Sequence, residues 1–303
     1  MITALGILLI TVYPNQGSAQ LIGSSQVLEW QSPPPDHRIS YGPGPQQFGN
    51  LRLPTGSSPH PIVVFIHGGC WLSAFDIEHV GQTEVAIAEA GYAVWSIEYR
   101  RLGDEGGGWP STYLDVGQGI DHLREMAEPY NLDLSRVVVA GHSAGGALAL
   151  WAAARGKVDD QSLLYTPNPL PVQAVFALAP AADLEALEER GSCGNAVGRL
   201  MGGTPAEYPE RYEAASPMQL APISVPQTLL IGGQDFVWAP PGRSYYHRAI
   251  TLGTEDLRIV DLPDSGHFEM ISPSTRSWRL VMSALKETFE SMTPLGEADG
   301  QVR

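Results

Sequence analysis

Val137-Val138-Val139-Ala140-Gly141-His142-Ser143-Ala144-Gly145 is the stretch that decides the fold. Its first four residues are β-branched or small and apolar, the composition of a strand buried on both faces of a parallel sheet. The residues that follow, Gly146 to Ala154, are nearly all Ala, Leu and Trp and read as a buried helix. Between them lies Gly-x-Ser-x-Gly, and strand, five-residue turn and helix together form the setting of a nucleophile elbow. So sharp a turn holds the serine in a strained conformation. Gly141 and Gly145 flank it because a Cβ at either place would collide with the neighbouring chain. Ser143 is therefore expected at the carboxyl edge of the sheet, where open α/β folds bind their ligands.

A serine alone is only an alcohol, so the chain must also supply a base, an acid and an anion site. Pro61 to Ile66 reads as a second buried strand, and it runs into His67-Gly68-Gly69-Cys70-Trp71. Backbone N–H groups of such a glycine loop have no sheet partner and can hold a developing oxyanion. The expected site is built from Gly68, Gly69 and Cys70 together with Ala144, with the N–H groups of Gly69, Cys70 and Ala144 as donors. Downstream, the strand Gln227 to Ile231 leads to Gly232-Gly233-Gln234-Asp235, and the strand Leu257 to Leu262 leads to Ser265-Gly266-His267-Phe268. In the chain order Ser143, Asp235, His267, the histidine is the expected base and the aspartate its orienting acid. Asp183 follows a further apolar strand, Ala174 to Leu178, and is the rival acid; its other reading is a helix N-cap. Asp264 is too near His267 along one loop to face it. Of the other histidines, His67 is expected to shape the glycine loop by hydrogen bonding, and His142 to point away from the nucleophile's face. His37, His60, His79, His122 and His247 stand in no motif.

These motifs resemble those of the α/β-hydrolases, in the esterase and lipase-like group whose oxyanion loop reads H-G-G-x-W. That group contains carboxylesterases and, with the same loop, arylformamidases. The resemblance runs from about Pro61 to Met292, and Ser96 to Arg101 resembles the strand end and Tyr-Arg pair between loop and elbow. It implies a mainly parallel sheet with helices on both faces and catalysis through an acyl-enzyme on Ser143.

Composition agrees. A chain of 303 residues with 43% apolar side chains can bury one large α/β core. Helices are expected over Val80 to Ala90, Ser111 to Ala127, Arg243 to Leu252 and Ser274 to Met292, alternating with strands. The catalytic domain is read as residues 61–292, with residues 184–220 as a small lid and 293–303 as a tail. The balance of 33 acidic against 18 basic residues gives a net charge of −15, which argues against nucleic acid and anionic membrane surfaces. There is no phosphate-binding or dinucleotide motif and no Cys/His cluster with metal spacing, so no cofactor or metal is expected.

Residues 1–19 read as a secretory signal: Ile2 to Tyr13 is apolar, Pro14 breaks the run, and Gly17-Ser18-Ala19 offers a small-residue cleavage site. The run is too short for a permanent membrane span. The departure is the lack of Lys or Arg before Arg38, which keeps a cytoplasmic protein as the alternative to a secreted or periplasmic one. Residues 20–60, with Pro33-Pro34-Pro35 and Pro43-Gly44-Pro45, read as an extended approach segment. The two cysteines, Cys70 and Cys193, read either as a disulfide tying the lid to the oxyanion loop or as two buried thiols.

The substrate is least legible. Trp71, Trp109, Tyr113, Phe236, Trp238 and Phe268 lie beside motifs or in strand-end loops and are candidates for an apolar pocket. The expected function is hydrolysis of small-molecule carboxylic esters. Arylformamide or amide cleavage is the second reading, and a catalytically silent hydrolase fold that only binds is the third.

Overall fold

The computed structural model describes residues 21–292; the signal read at residues 1–19 and the tail read at 293–303 lie outside them. Eight strands form one sheet: β1 (His37–Ser40), β2 (Phe48–Arg52), β3 (His60–Ile66), β4 (Ala93–Ile97), β5 (Leu132–His142), β6 (Ala174–Leu178), β7 (Gln227–Gly232) and β8 (Leu257–Leu262). Their spatial order is β1-β2-β4-β3-β5-β6-β7-β8. β1 and β2 pair antiparallel, as do β2 and β4, and the rest pair parallel.

Alternation along β3 shows how the layers are made. Ile62, Val64 and Ile66 face one hydrophobic cluster, and Val63 and Phe65 face the other. The first face is covered by Tyr113, Val116 and Ile120 of the helix Ser111–Asp121, and by the helices Ala144–Ala153 and Ala239–Thr251. The second is covered by Ile87 of Gly81–Glu89 and by Val281, Leu285 and Phe289 of Trp278–Ser291. Each such side chain contributes about 1.5–3 kcal/mol when withdrawn from water. Residues 144–152 of the elbow helix are all buried, which explains a composition with no polar face.

Register carries the site. Ile66 lies opposite Gly141 and Gly141 opposite Ala177, so the glycine loop after β3 emerges beside the turn after β5. Gly232 pairs with Leu262, which brings out the loops after β7 and β8 side by side. All four loops leave the carboxyl ends of parallel strands, the edge at which ligands bind in such sheets.

Several boundaries differ from the sequence reading. The segment at residues 20–60 is not merely extended, because it contributes a helical turn (Ser24–Val27) and both antiparallel strands. β1 is mostly exposed, so its sequence shows no apolar alternation to detect. The proline run is held by Arg52, whose guanidinium donates to the carbonyls of Pro33 (2.8 Å) and Pro34 (3.0 Å) and to the buried Glu84 carboxylate (3.0 Å). β5 starts at Leu132 rather than Val137, with a register irregularity between His60 and Ile62 of its partner β3. The helix read over residues 111–127 divides at His122 into Ser111–Asp121 and Leu123–Met126. The helix read from Arg243 begins at Ala239, since prolines are accommodated in a first turn whose N–H groups have no helical acceptor. The helix read from Ser274 begins at Trp278. Residues 184–220 hold four short helices, Leu184–Glu189, Ser192–Met201, Pro209–Ala215 and Pro217–Leu220. Cys193, Gly194 and Asn195 are left-handed within the second of these.

A Cβ built on Gly145 would lie 2.0 Å from the Ile66 carbonyl oxygen and 2.5 Å from that of His67. Because both obstacles are backbone, Gly145→Ala is expected to destabilise the fold by about 3 kcal/mol or more. Urea unfolding followed by circular dichroism checks this.

Candidate active site

Ser143 has φ 56° and ψ −117°, a conformation that costs a non-glycine residue of order 1–3 kcal/mol. The surroundings hold it there. Its N–H donates to the Leu178 carbonyl (2.8 Å), and its own carbonyl accepts from the N–H groups of Ala147 (3.2 Å) and Ala181 (3.1 Å). The serine is 3% exposed and opens on a cavity of about 630 Å³.

Asp235 and His267 meet on the same cavity. The His267 Nδ1 lies 2.6 Å from Asp235 Oδ2, while Asp235 Oδ1 accepts the Trp238 N–H at 3.0 Å. The two loops are stitched together by Gly233 N–H to the Leu262 carbonyl (2.8 Å) and Gln234 N–H to the Ser265 carbonyl (2.9 Å). Among the described residues no hydrogen bond joins Ser143 Oγ to His267, a contact that in such sites commonly tightens only as substrate arrives. Asp183, the rival acid, caps the helix Leu184–Glu189 by accepting from the Ala186 N–H at 3.1 Å. Asp264 is exposed.

His142 is buried and does not line the cavity, yet it packs against His267. Its ring centroid lies 4.5 Å from that of His267, and its Nε2 lies 2.9 Å from the His267 carbonyl oxygen. Burial, reinforced by neighbouring His267, holds its pKa well below the ordinary imidazole value, so the ring is neutral. The single proton then belongs on Nε2, donated to that carbonyl, and Nδ1 has no partner among the described residues. His142 thus fixes the backbone that carries His267.

The glycine loop is a run of left-handed residues: Gly69 (φ 102°), Cys70 (55°) and Trp71 (56°). Gly69 could carry no side chain, since a Cβ there would lie 2.2 Å from that of Phe75. Among the described residues no protein acceptor meets the N–H groups of Gly69, Cys70 or Ala144, leaving them available to an anion. Gly68 lies behind the loop, pressed against the elbow, with its carbonyl 2.9 Å from His67 Nδ1. His67 Nε2 faces Glu98 at 3.0 Å, and its ring stacks on Tyr99 at 4.5 Å. Cys70 is joined to Cys193 by a disulfide, with Cα atoms 6.1 Å apart, which decides between the two readings of the cysteines.

The aromatic candidates divide. Phe236, Trp238 and Phe268 line the cavity, with Trp238 stacked on the His267 ring at 5.3 Å. Trp71 and Tyr113 do not. Both are at most 2% exposed and belong to the core beneath the loop, where a large apolar ring gains most from burial. Trp109 lines a separate cavity with Lys157, Ser162 and Arg211. Conversely, Leu21, Ile22, Leu72 and Phe75 line the same cavity as Ser143 and His267 without having been singled out.

Glu98 was also missed, although it lies within the stretch Ser96 to Arg101, directly after β4. Burial alone would raise its pKa. The neighbouring His67, Arg101 (3.3 Å) and the Ile77 N–H (3.0 Å) outweigh that and hold it below the usual carboxylate range. Stabilisation from a depressed carboxyl is full above its unfolded pKa and disappears as pH falls through the folded one. Glu98→Gln is therefore expected to cost about 2 kcal/mol at pH 7. The gap to wild type should close as the pH drops below about 4, which urea melts at pH 7, 5, 4 and 3 measure.

Comparison with known proteins follows the geometry. Residues 50–245 match the family described as BD-FAE. The esterase LipC of Mycobacterium tuberculosis is 27% identical over 238 residues, covering 76% of this chain and 59% of that protein. Esterase EstD of Thermotoga maritima is 25% identical over 251 residues, again covering 76% and 59%. The chain thus spans 59% of the length of each of these relatives. Among solved structures, an inhibited form of esterase B of Lactobacillus rhamnosis superposes with a TM-score of 0.74 at 20% identity, over 88% of this chain and 90% of the other. That likeness is one of fold.

Proposed function

The chain belongs to the BD-FAE family and has the α/β-hydrolase fold, and from that premise we propose that it is a serine hydrolase of carboxylic esters. One observation carries the reading: the 2.6 Å contact between Asp235 and His267 opens on the same cavity as a serine held at φ 56°. The esterase names of the relatives support the choice of ester as substrate class.

In this mechanism Asp235 keeps the proton of His267 on Nδ1, leaving Nε2 free to act as base. Ser143 Oγ attacks the ester carbonyl carbon and gives its proton to Nε2. The carbonyl oxygen becomes an oxyanion and is received by the N–H groups of Gly69, Cys70 and Ala144. Collapse expels the alcohol, which takes the proton back from His267, and an acyl group remains on Ser143. Water repeats the sequence, releasing the acid and restoring the serine. The ester and one water become one acid and one alcohol.

Ser143→Ala is expected to fold normally and to lose about 10⁴–10⁶ in turnover, together with labelling by a fluorophosphonate. Asp235→Asn should lose far more activity than Asp183→Asn, whose side chain only caps a helix. Activity within tenfold of wild type for the serine variant rejects the mechanism.

Export belongs to the same proposal. A disulfide beside the reactive cavity supports an oxidising compartment. Protein from its native host is expected to begin at or near Gln20 and to contain no free thiol, as intact-mass analysis and denaturing thiol titration would establish. A retained Met1 with two free thiols would place the protein in a reducing compartment.

A further inference from the structure

The leaving group of an ester must end beside the base, because His267 returns a proton to its oxygen. What surrounds His267 is therefore what the alcohol half of a substrate meets. Trp238 stacks on the imidazole, and Phe268 meets it edge-on at 5.0 Å. Leu21 lies immediately beyond Gly266: a Cβ built on that glycine would be 3.2 Å from Leu21 Cδ1. Leu21 and Ile22 line the catalytic cavity although they precede Ser143 by more than a third of the chain. The disulfide and Gly69 line the oxyanion part of the same cavity.

Something must hold a short N-terminal strap against a cavity. The Ile22 N–H donates to Glu269 Oε1 at 2.5 Å. Glu269 is 7% exposed and begins the turn Glu269–Ile271, two residues beyond His267. Its second oxygen has no hydrogen-bond partner among the described residues, so the latch to Ile22 is the bond that this carboxylate makes through its side chain. Burying a carboxylate beside the base is costly, and a single backbone N–H repays it only in part. Such an arrangement is accounted for if the strap's position matters to the site.

We infer that Leu21 and Ile22, latched by Glu269, form the wall against which the leaving alcohol packs, so that this strap sets the preference among leaving groups. The inference rests on the ester-hydrolase reading. The wall is apolar and continues into Phe236 and Val237, which are 83% and 60% exposed at the cavity side. The chemistry that fits is an alkyl or aryl alcohol whose apolar body lies along this surface with its oxygen at His267. Glu269 is a positioning residue: it touches the strap and not the substrate.

The test uses the full chain and two substrate series. One holds the acyl group at acetate and lengthens the alcohol from ethyl to hexyl, with phenyl added; the other holds the alcohol at methyl and lengthens the acid. For wild type, kcat/KM in the alcohol series should rise by up to about fourfold for each methylene that the wall buries. Leu21→Ala and Ile22→Ala should flatten that series while the slope of the methyl-ester series is kept. Glu269→Ala should flatten it too, raising KM more than it lowers kcat. Glu269→Gln still offers an oxygen to the Ile22 N–H and should restore the slope. If Glu269→Ala fails to fold, as circular dichroism would reveal, the two strap variants carry the test alone. Flattening confined to the methyl-ester series, or unchanged slopes in both, overturns the inference while leaving ester hydrolysis intact. Wild-type protein that turns over no member of either series overturns the hydrolase reading, before any variant is compared.

Discussion

The constraint on which the rest depends is the close approach of three backbones at the elbow. Gly141 and Gly145 face each other so nearly that a Cβ on the first would lie 2.1 Å from the carbonyl oxygen of the second. Gly145 in turn presses on the end of β3. That contact sets the height at which the glycine loop leaves its strand relative to Ser143, and hence where an oxyanion could be received. The strain at Ser143 persists because β6 supplies the Leu178 carbonyl and the neighbouring Ala181 N–H. Local strain is thus balanced by sheet pairing elsewhere, which is how such conformations survive in folded proteins.

A second layer lies behind the loop and is polar. Glu98 gathers His67, Arg101 and the N–H groups of Ile77 and Tyr99, while the Tyr99 hydroxyl reaches the His67 carbonyl at 2.9 Å. These contacts tie the segment after β4 and the turn at Ile77 to the loop's first residue. The arrangement orients the loop without entering the cavity, leaving the outward N–H groups of Gly69 and Cys70 uncommitted. Arg52 does the same kind of work on β2, where it joins the proline run to Glu84.

What was legible in the sequence was what repeats a rule. The buried strands announced themselves by unbroken apolar runs, and the strand-end positions of Ser143, Asp235 and His267 followed from them. The exposed β1 and the proline-led start of the helix at Ala239 were not legible, because neither depends on an apolar pattern. Among the aromatics, position beside a motif did not decide orientation. Trp71 follows the glycine loop directly, yet the loop's left-handed backbone accompanies a ring buried in the core, whereas Trp238 reaches His267. Contacts such as Leu21 with Gly266, or Ile22 with Glu269, join residues some 250 positions apart and leave no local trace in either stretch.

The disulfide closes a ring between residues 123 positions apart, and that ring contains the whole of β4, β5 and β6 and the elbow between them. Asp235, His267, Leu21 and Ile22 all lie outside it. The cavity is therefore assembled from a covalently closed half, bearing Cys70, Ser143 and Ala144, and an open half, bearing Gly69, Asp235, His267 and the strap. A cut in the exposed stretch around Asp160 and Leu163 would leave both pieces of the ring joined through Cys70 and Cys193. Ser143, Cys70 and Ala144 are in this sense insured against a single proteolytic nick there, whereas the strap at Leu21 and Ile22 depends on an intact chain and one hydrogen bond.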